Sequence, residues 1–338
     1  MKVLSATALI IMVLVLPAGA EQRRIQFGIQ TSQQDTTWEE IASTWREAER
    51  LGYDSAWVYD HFIPIFGDKN GPCLEGWTLL AALATQTQHL RIGALVTGNT
   101  YRNPALLAKM ATTVDQISGG RLNLGIGAAW FEYEHQAYGF PFYSAKERAD
   151  RLRESLEVIT KLWGVDHPSL SGSYYQLINA PFQPKPVQQP HPPIVIGGKG
   201  KKWIMPLVAR YADEWNVPIG VSVAGMKKRL ELVRAECARI GRTPCVSEVS
   251  VFMPLVNITD IPLAGPATRL GARLMVEQRI AKSLLAGSAD EIKDMIRGYV
   301  DAGATRVIVN LRPPFDHDLM KRFATEVMPA FRGAATPG

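Results

Sequence analysis

The residues best suited to chemistry are few, and they sit at the ends of apolar runs. Asp60-His61 closes the run Ser55–Tyr59, and an imidazole there can take or give a proton near neutral pH. Gly197-Gly198-Lys199-Gly200 lies between the apolar Ile194–Ile196 and the helical pattern Trp203–Tyr211. Glycines free backbone N–H groups and a helix N-terminus favours an anion. With Lys199, Lys201 and Lys202 adding positive charge, this turn is a candidate phosphate seat. Gly127-Ala128-Ala129-Trp130 ends a further run, where small residues let a ligand approach the backbone. Trp130, Phe131, Tyr133 and Tyr138 offer rings that either stack on a planar group or pack the loop onto the body. His135, His167, His191 and His317 are scattered, and the chain has no H-E-x-x-H, clustered carboxylate ligands or G-x-S-x-G elbow. Metal and nucleophile chemistry are therefore not expected.

Positioning these groups requires strands that end on one side. The apolar runs and turn signals predict strands at Ile25–Gln30, Ser55–Tyr59, Arg91–Val96, Arg121–Ile126, Ile194–Ile196, Glu214–Val217, Val249–Val256 and Arg306–Asn310. Helical spacing predicts Thr37–Leu51, Leu74–Thr87, a helix opened by Pro104 and stopped by Ser118-Gly119-Gly120, then Lys146–Leu162, Trp203–Tyr211, Met226–Ile240, a helix ending at Val300 and His317–Phe331. Ser288 with Glu291 reads as a capping box for the helix ending at Val300. The proline-rich excursion Gly164–Pro192 reads as a loop or short hairpin inserted before strand five, and Asp260–Ile280 is weakly punctuated. Strands alternating with helices, without a second period, predict an α/β fold: a (β/α)8 barrel with its polar, glycine-bearing segments at the C-terminal ends of the strands.

The composition suits that reading. The chain has 338 residues, 46% hydrophobic and 20% charged, enough for a large core and unlike a disordered sequence. A net charge of +5, without a basic run or interleaved aromatics, argues against nucleic acid as a partner. Residues 1–20 carry Lys2, an apolar stretch from Val3 to Leu16 and a small-residue A-x-A ending, the layout of a secretory signal, with 21–338 following as one domain. The apolar stretch is short for a membrane span, so none is expected. A mis-assigned start near Arg23 or Arg24 is the alternative. Cys73, Cys237 and Cys245 allow at most one disulfide, such as Cys237 to Cys245, with idle thiols the plainer expectation.

The segment TYRNPALLAKMATTVDQISGGRLNLGIGAAWFEYEHQAYGFPF, residues 100–142, resembles the luciferase-like oxidoreductases. It is most similar to the branch that uses the deazaflavin coenzyme F420, and the resemblance extends from Ile25 to Phe331. It implies a barrel holding a deazaflavin or flavin at the C-terminal mouth. His61 would be the acid or base, with Asp60 contacting the cofactor ring region. Ala94-Leu95 matches the place of a non-proline cis peptide pressed behind the ring, with Thr97 and Asn103 as further contacts. Gly127, Ala128, Trp130 and Tyr133 would line the ring, and Gly197, Gly198 and Gly200 would hold the phosphate. The resemblance also implies a homodimer and a cytoplasmic setting, against the export implied by residues 1–20.

The sequence departs from the sugar-phosphate dehydrogenases of that branch. Trp130 stands where they carry an acidic residue, Ile65 where they carry a tryptophan, and Lys199 where glycine is usual. A sugar phosphate is therefore not assigned. The leading expectation is hydride transfer between F420 and a small organic substrate. The alternatives are an FMN-dependent monooxygenase and an exported binding protein that keeps the barrel without turnover.

Overall fold

A computed structural model describes residues 24–260 and 284–333 of the chain. Eight strands form its centre: β1 (Gln26–Thr31), β2 (Ser55–Val58), β3 (Arg91–Ala94), β4 (Leu122–Gly127), β5 (Ile194–Gly197), β6 (Glu214–Val217), β7 (Glu248–Thr259) and β8 (Arg306–Leu311). Each pairs in parallel with its neighbours, and β1 meets both β2 and β8, so the ring closes. This is the (β/α)8 barrel expected from the sequence. Closure leaves no open edge, and every strand end on the C-terminal side faces one mouth.

The apolar residues divide between two cores. Most, including Phe27, Trp45, Leu80, Ile159 and Trp215, lie between the strands and the surrounding helices. A smaller group inside the barrel contains Trp57, Leu95, Val195 and Ile308. Local chemistry sets the helix starts. Thr37 and Glu40 form a reciprocal capping box for the helix Trp38–Arg50, and Ser288 with Glu291 does the same for Ala289–Val300. Glu75 caps Gly76–Leu83, a shorter helix than the Leu74–Thr87 expected, because its carboxylate takes the N–H groups of Trp77 and Thr78.

Three further features complete the fold, and the first of them is one of the two forms expected for the excursion. The excursion before β5 is a short antiparallel hairpin, Leu170–Ser171 against Gln176–Leu177. Its turn is fastened by buried Glu154, which accepts from the N–H groups of Ser173, Tyr174 and Tyr175. Leu285–Ser288 adds a strand beside the far end of β7. Cys237 and Cys245 are joined in a disulfide, where idle thiols were the plainer expectation. Left-handed Gly241 (φ 69°) ends the helix Val223–Ile240 and turns the chain back, which leaves the two Cα atoms 5.7 Å apart. Cys73 stays free, with burial pushing its thiol up to about 11. The signal-like segment 1–20 and most of Asp260–Ile280 lie outside the described residues. Among the described residues no helix is long and apolar enough to cross a membrane.

Candidate active site

β2 delivers Asp60-His61 to the mouth of the barrel, as its sequence position implies. The two side chains then take different partners. Asp60 is buried, and both its oxygens accept from Arg102, at 2.7 and 2.9 Å. Arg102 also donates to Glu75 at 2.6 Å. Burial pushes the Asp60 carboxyl up, and the two-pronged Arg102 bond opposes it. Each Asp60 oxygen keeps a second lone pair, so the Arg102 bonds hold the carboxylate in place and leave acceptor capacity for the ring contact expected of it. It ties the end of β2 to the loop before the helix Pro104–Ile117.

His61 is less deeply buried than Asp60, 8% against 1% exposed. Its Nδ1 lies 3.0 Å from Glu134 Oε2, and no described residue bonds Nε2. Glu134 is fully buried and also accepts from the Tyr101 hydroxyl and from the N–H groups of Phe62 and Ile63. Burial pushes the Glu134 carboxyl up, but His61, Tyr101 and Phe62 outweigh it and hold the pKa below the usual glutamate value. An ionised Glu134 makes Nδ1 the donor, so that in the neutral imidazole Nε2 carries the lone pair. Burial first, and then Glu134, push the Tyr101 hydroxyl well up, so it stays a donor.

Glu134 was not singled out in the sequence. It lies on the short helix Glu132–Ala137, within WFEYEH, where Glu132 is an equally acidic neighbour. Only the fold separates them, since Glu132 faces solvent while Glu134 is buried against the β2 loop. Around His61 stand the rings of Tyr59, Trp130 and Phe131, with centroids 5.4, 5.6 and 5.7 Å away. Trp130 is 62% exposed and Tyr133 54% exposed, leaving their faces available at the mouth.

The non-proline cis peptide is at Leu95-Val96, one residue beyond the Ala94-Leu95 bond expected. The pairing of β3 explains the offset, because the Leu95 N–H still donates to Val58 O at 2.8 Å. The Leu95 carbonyl accepts from Gln30 Nε2 at 2.8 Å, and Asn310 in turn donates to Gln30 at 3.0 Å. Val96 presses on the ends of β4 and β5, where a Cβ on Gly127 or Gly197 would come within 2.8 or 2.9 Å of it. These glycines admit Val96, which is a packing reason for them beside the expected cofactor contact. Ala94 is fully buried behind this turn, and Ala128 is half-buried beyond it.

Two residues expected at the cofactor each make a structural bond as well. Buried Thr97 accepts from Trp77 Nε1 at 2.9 Å, and the Asn103 side chain caps the following helix by accepting from Ala105 N at 2.9 Å. The glycine turn Gly197-Gly198-Lys199-Gly200 follows β5. Gly198 has φ 143°, which side chains rarely adopt, and Trp215 Nε1 donates to its carbonyl at 2.9 Å. Arg229 donates to Lys199 O at 2.9 Å. The N–H groups from Lys199 to Trp203 meet no described backbone acceptor, and Gly200 O receives Ile204 and Met205 as the helix Ile204–Tyr211 begins. The turn thus offers unbonded donors beside a helix start. No group of residues suited to a metal ion occurs among those described.

Residues 23–260 match the family model described as luciferase-like monooxygenase. The chain is 29% identical over 315 residues to an F420-dependent glucose-6-phosphate dehydrogenase of Amycolatopsis mediterranei, across 84% of this chain and 92% of that one. It is 32% identical over 194 residues to an FMNH2-dependent dimethylsulfone monooxygenase of Pseudomonas putida, across 57% of this chain and 52% of that one. A solved F420-dependent secondary alcohol dehydrogenase, in complex with an F420-acetone adduct, superposes with a TM-score of 0.79. The two are 23% identical over 91% of this chain and 99% of the other, a likeness of fold.

Proposed function

We propose that this chain, which belongs to the luciferase-like monooxygenase family, is an F420-dependent oxidoreductase acting on a small organic substrate. The observation that carries this reading is the Glu134-held imidazole of His61, its Nε2 unbonded, at the mouth of a barrel whose β5 turn offers free N–H groups. The donor set fits an anionic planar cofactor. Lys199, Gly200 and the start of the helix Ile204–Tyr211 would hold a phosphate, while Trp130 and Tyr133 would flank a ring. When bound, the deazaflavin supplies a two-electron hydride carrier.

The protein's part is position and proton control. His61 Nε2 takes or gives the single proton that balances the hydride, and Glu134 keeps Nδ1 protonated and the ring oriented. Asp60 and Arg102 hold the end of β2 on which His61 stands, which makes them positioning residues. Gln30 and Asn310 fix the Leu95 carbonyl at the cis turn behind the site.

Long coverage of the F420-dependent relative favours F420, whereas the FMN relative aligns over little more than half of either chain. The higher identity within that shorter alignment keeps an FMN-dependent monooxygenase as the second reading. Fluorescence titration of the purified protein with F420 and with FMN in parallel separates them. Micromolar F420 binding with little FMN response is expected. Preference for FMN would make oxygen a reactant, and binding of neither would leave a barrel without the activity.

Gly198→Val is expected to weaken F420 binding at least tenfold. A side chain at φ 143° must move the turn, and its Cβ would meet Ile204 Cγ2 at 3.2 Å. Equal affinity in the same titration, from a variant that still folds, would seat the phosphate elsewhere.

A further inference from the structure

We infer that the barrel mouth carries a separate oxyanion subsite, built on Arg312 and Ser32, that holds the carboxylate end of a substrate. The word substrate rests on the F420 reading; the subsite itself does not. A cavity of ≈ 190 Å³ opens between the C-terminal ends of β1 and β8, walled by Ser32, Gln34, Asp35, Phe66 and Arg312.

Ser32 is 1% exposed, its N–H donates to Leu311 O at 3.1 Å, and its hydroxyl has no hydrogen-bond partner. A buried hydroxyl left so is costly unless a ligand bonds it. Arg312 lies with its guanidinium carbon 3.8 Å from the centre of the Phe66 ring. It forms neither an ion pair nor a hydrogen bond with any described residue. Stacking fixes the plane of the guanidinium and leaves its N–H fork for a planar oxyanion.

The wall is built rather than incidental. Gln34 Oε1 accepts from the Tyr59 hydroxyl and from the N–H groups of Ile65 and Phe66, at 3.2, 3.0 and 3.3 Å. Its Nε2 donates to Phe66 O at 2.8 Å and to Asp35 Oδ2 at 3.0 Å. These bonds fix the loop that starts after His61 and ends beside Arg312, so one loop joins the proton-transfer group to the anion subsite. Lys69 donates to the carbonyls of Pro64 and Ile65 and adds positive charge to that loop. Asp35 supplies the one carboxylate of the wall and does not pair with Arg312. Its charge disfavours a doubly ionised group and favours a single carboxylate that carries a hydroxyl donor.

The test is calorimetric titration of the full chain with glycolate, acetate and inorganic phosphate, alongside F420 titrated separately. Wild type is expected to bind glycolate saturably, and more tightly than acetate or phosphate. Arg312→Gln should weaken glycolate binding at least tenfold and Ser32→Ala severalfold, each with F420 affinity within twofold of wild type. No saturable glycolate binding, or equal binding by Arg312→Gln, overturns the subsite. Tighter binding of phosphate or acetate than of glycolate overturns the carboxylate-with-hydroxyl assignment, and loss of F420 affinity in Arg312→Gln gives the cavity to the cofactor's own anionic tail. If wild type fails to bind F420 while glycolate binding still depends on Arg312, the cofactor reading fails and the subsite stands.

Discussion

Replacing His61 by alanine is expected to lower turnover by about 10²–10⁴-fold, the usual contribution of a positioned acid or base. F420 affinity should stay within a few-fold, because the phosphate and ring contacts proposed here come from β4, β5 and their loops. The effect follows from geometry, since His61 offers the unbonded Nε2 beside Trp130 and a buried carboxylate already fixes its other nitrogen. Deazaflavin absorbance, followed with the first compound that wild type oxidises or reduces, reads the change. If His61→Ala turns over that compound at the wild-type rate, the proton comes from another group and Glu134 loses its functional meaning.

The second large effect belongs to Glu134. Glu134→Ala is expected to cost about 3–5 kcal/mol of stability, because each buried donor left without a partner costs about 1–3 kcal/mol. Four donors converge on this carboxylate: His61 Nδ1, the Tyr101 hydroxyl and the N–H groups of Phe62 and Ile63. Alanine leaves all four unsatisfied in a dry site. Glu134→Gln keeps the volume and one acceptor, so it should fold but lose turnover as the imidazole loses its anion.

The sign of the pH dependence follows from the lowered carboxyl pKa. Its stabilisation is fully present above the usual glutamate value of 4.5 and is lost as pH falls through the lower folded value. Denaturant unfolding of wild type and Glu134→Gln should therefore differ most near neutrality and converge in acid. A difference that widens on acidification would mean that Glu134 is held protonated in the folded protein.

Much of this site was legible because its ingredients are local. A capping pair such as Ser288 and Glu291 lies within one turn, and β5 is marked by its own apolar run at Ile194–Ile196. The alternation of such segments left few arrangements other than a closed parallel barrel, and closure alone sends Asp60-His61 and the β5 glycine turn to the same mouth. The helix Gly76–Leu83 is shorter than the Leu74–Thr87 that its sequence predicts. Its start is set by where the Glu75 carboxylate finds the N–H groups of Trp77 and Thr78, and its end falls at Leu83, before the polar Thr85-Gln86-Thr87.

What the sequence could not carry was partnership. His61 and Glu134 are 73 residues apart, Asp60 and Arg102 are 42 apart, and Gln30 and Asn310 are 280 apart. Each pair is made of residue types that are ordinary on a solvated surface, and no spacing along the chain marks them. The sequence by itself determined the order of elements, their caps and the side of the barrel that bears the chemistry, because those depend on neighbours a few residues away. The tertiary structure alone decided that Asp60 is held by Arg102, that Glu134 rather than Glu132 holds the imidazole, and that Arg312 and an unpartnered Ser32 line one cavity. Those choices follow from which polar groups are buried together, and closure of the barrel fixes that set.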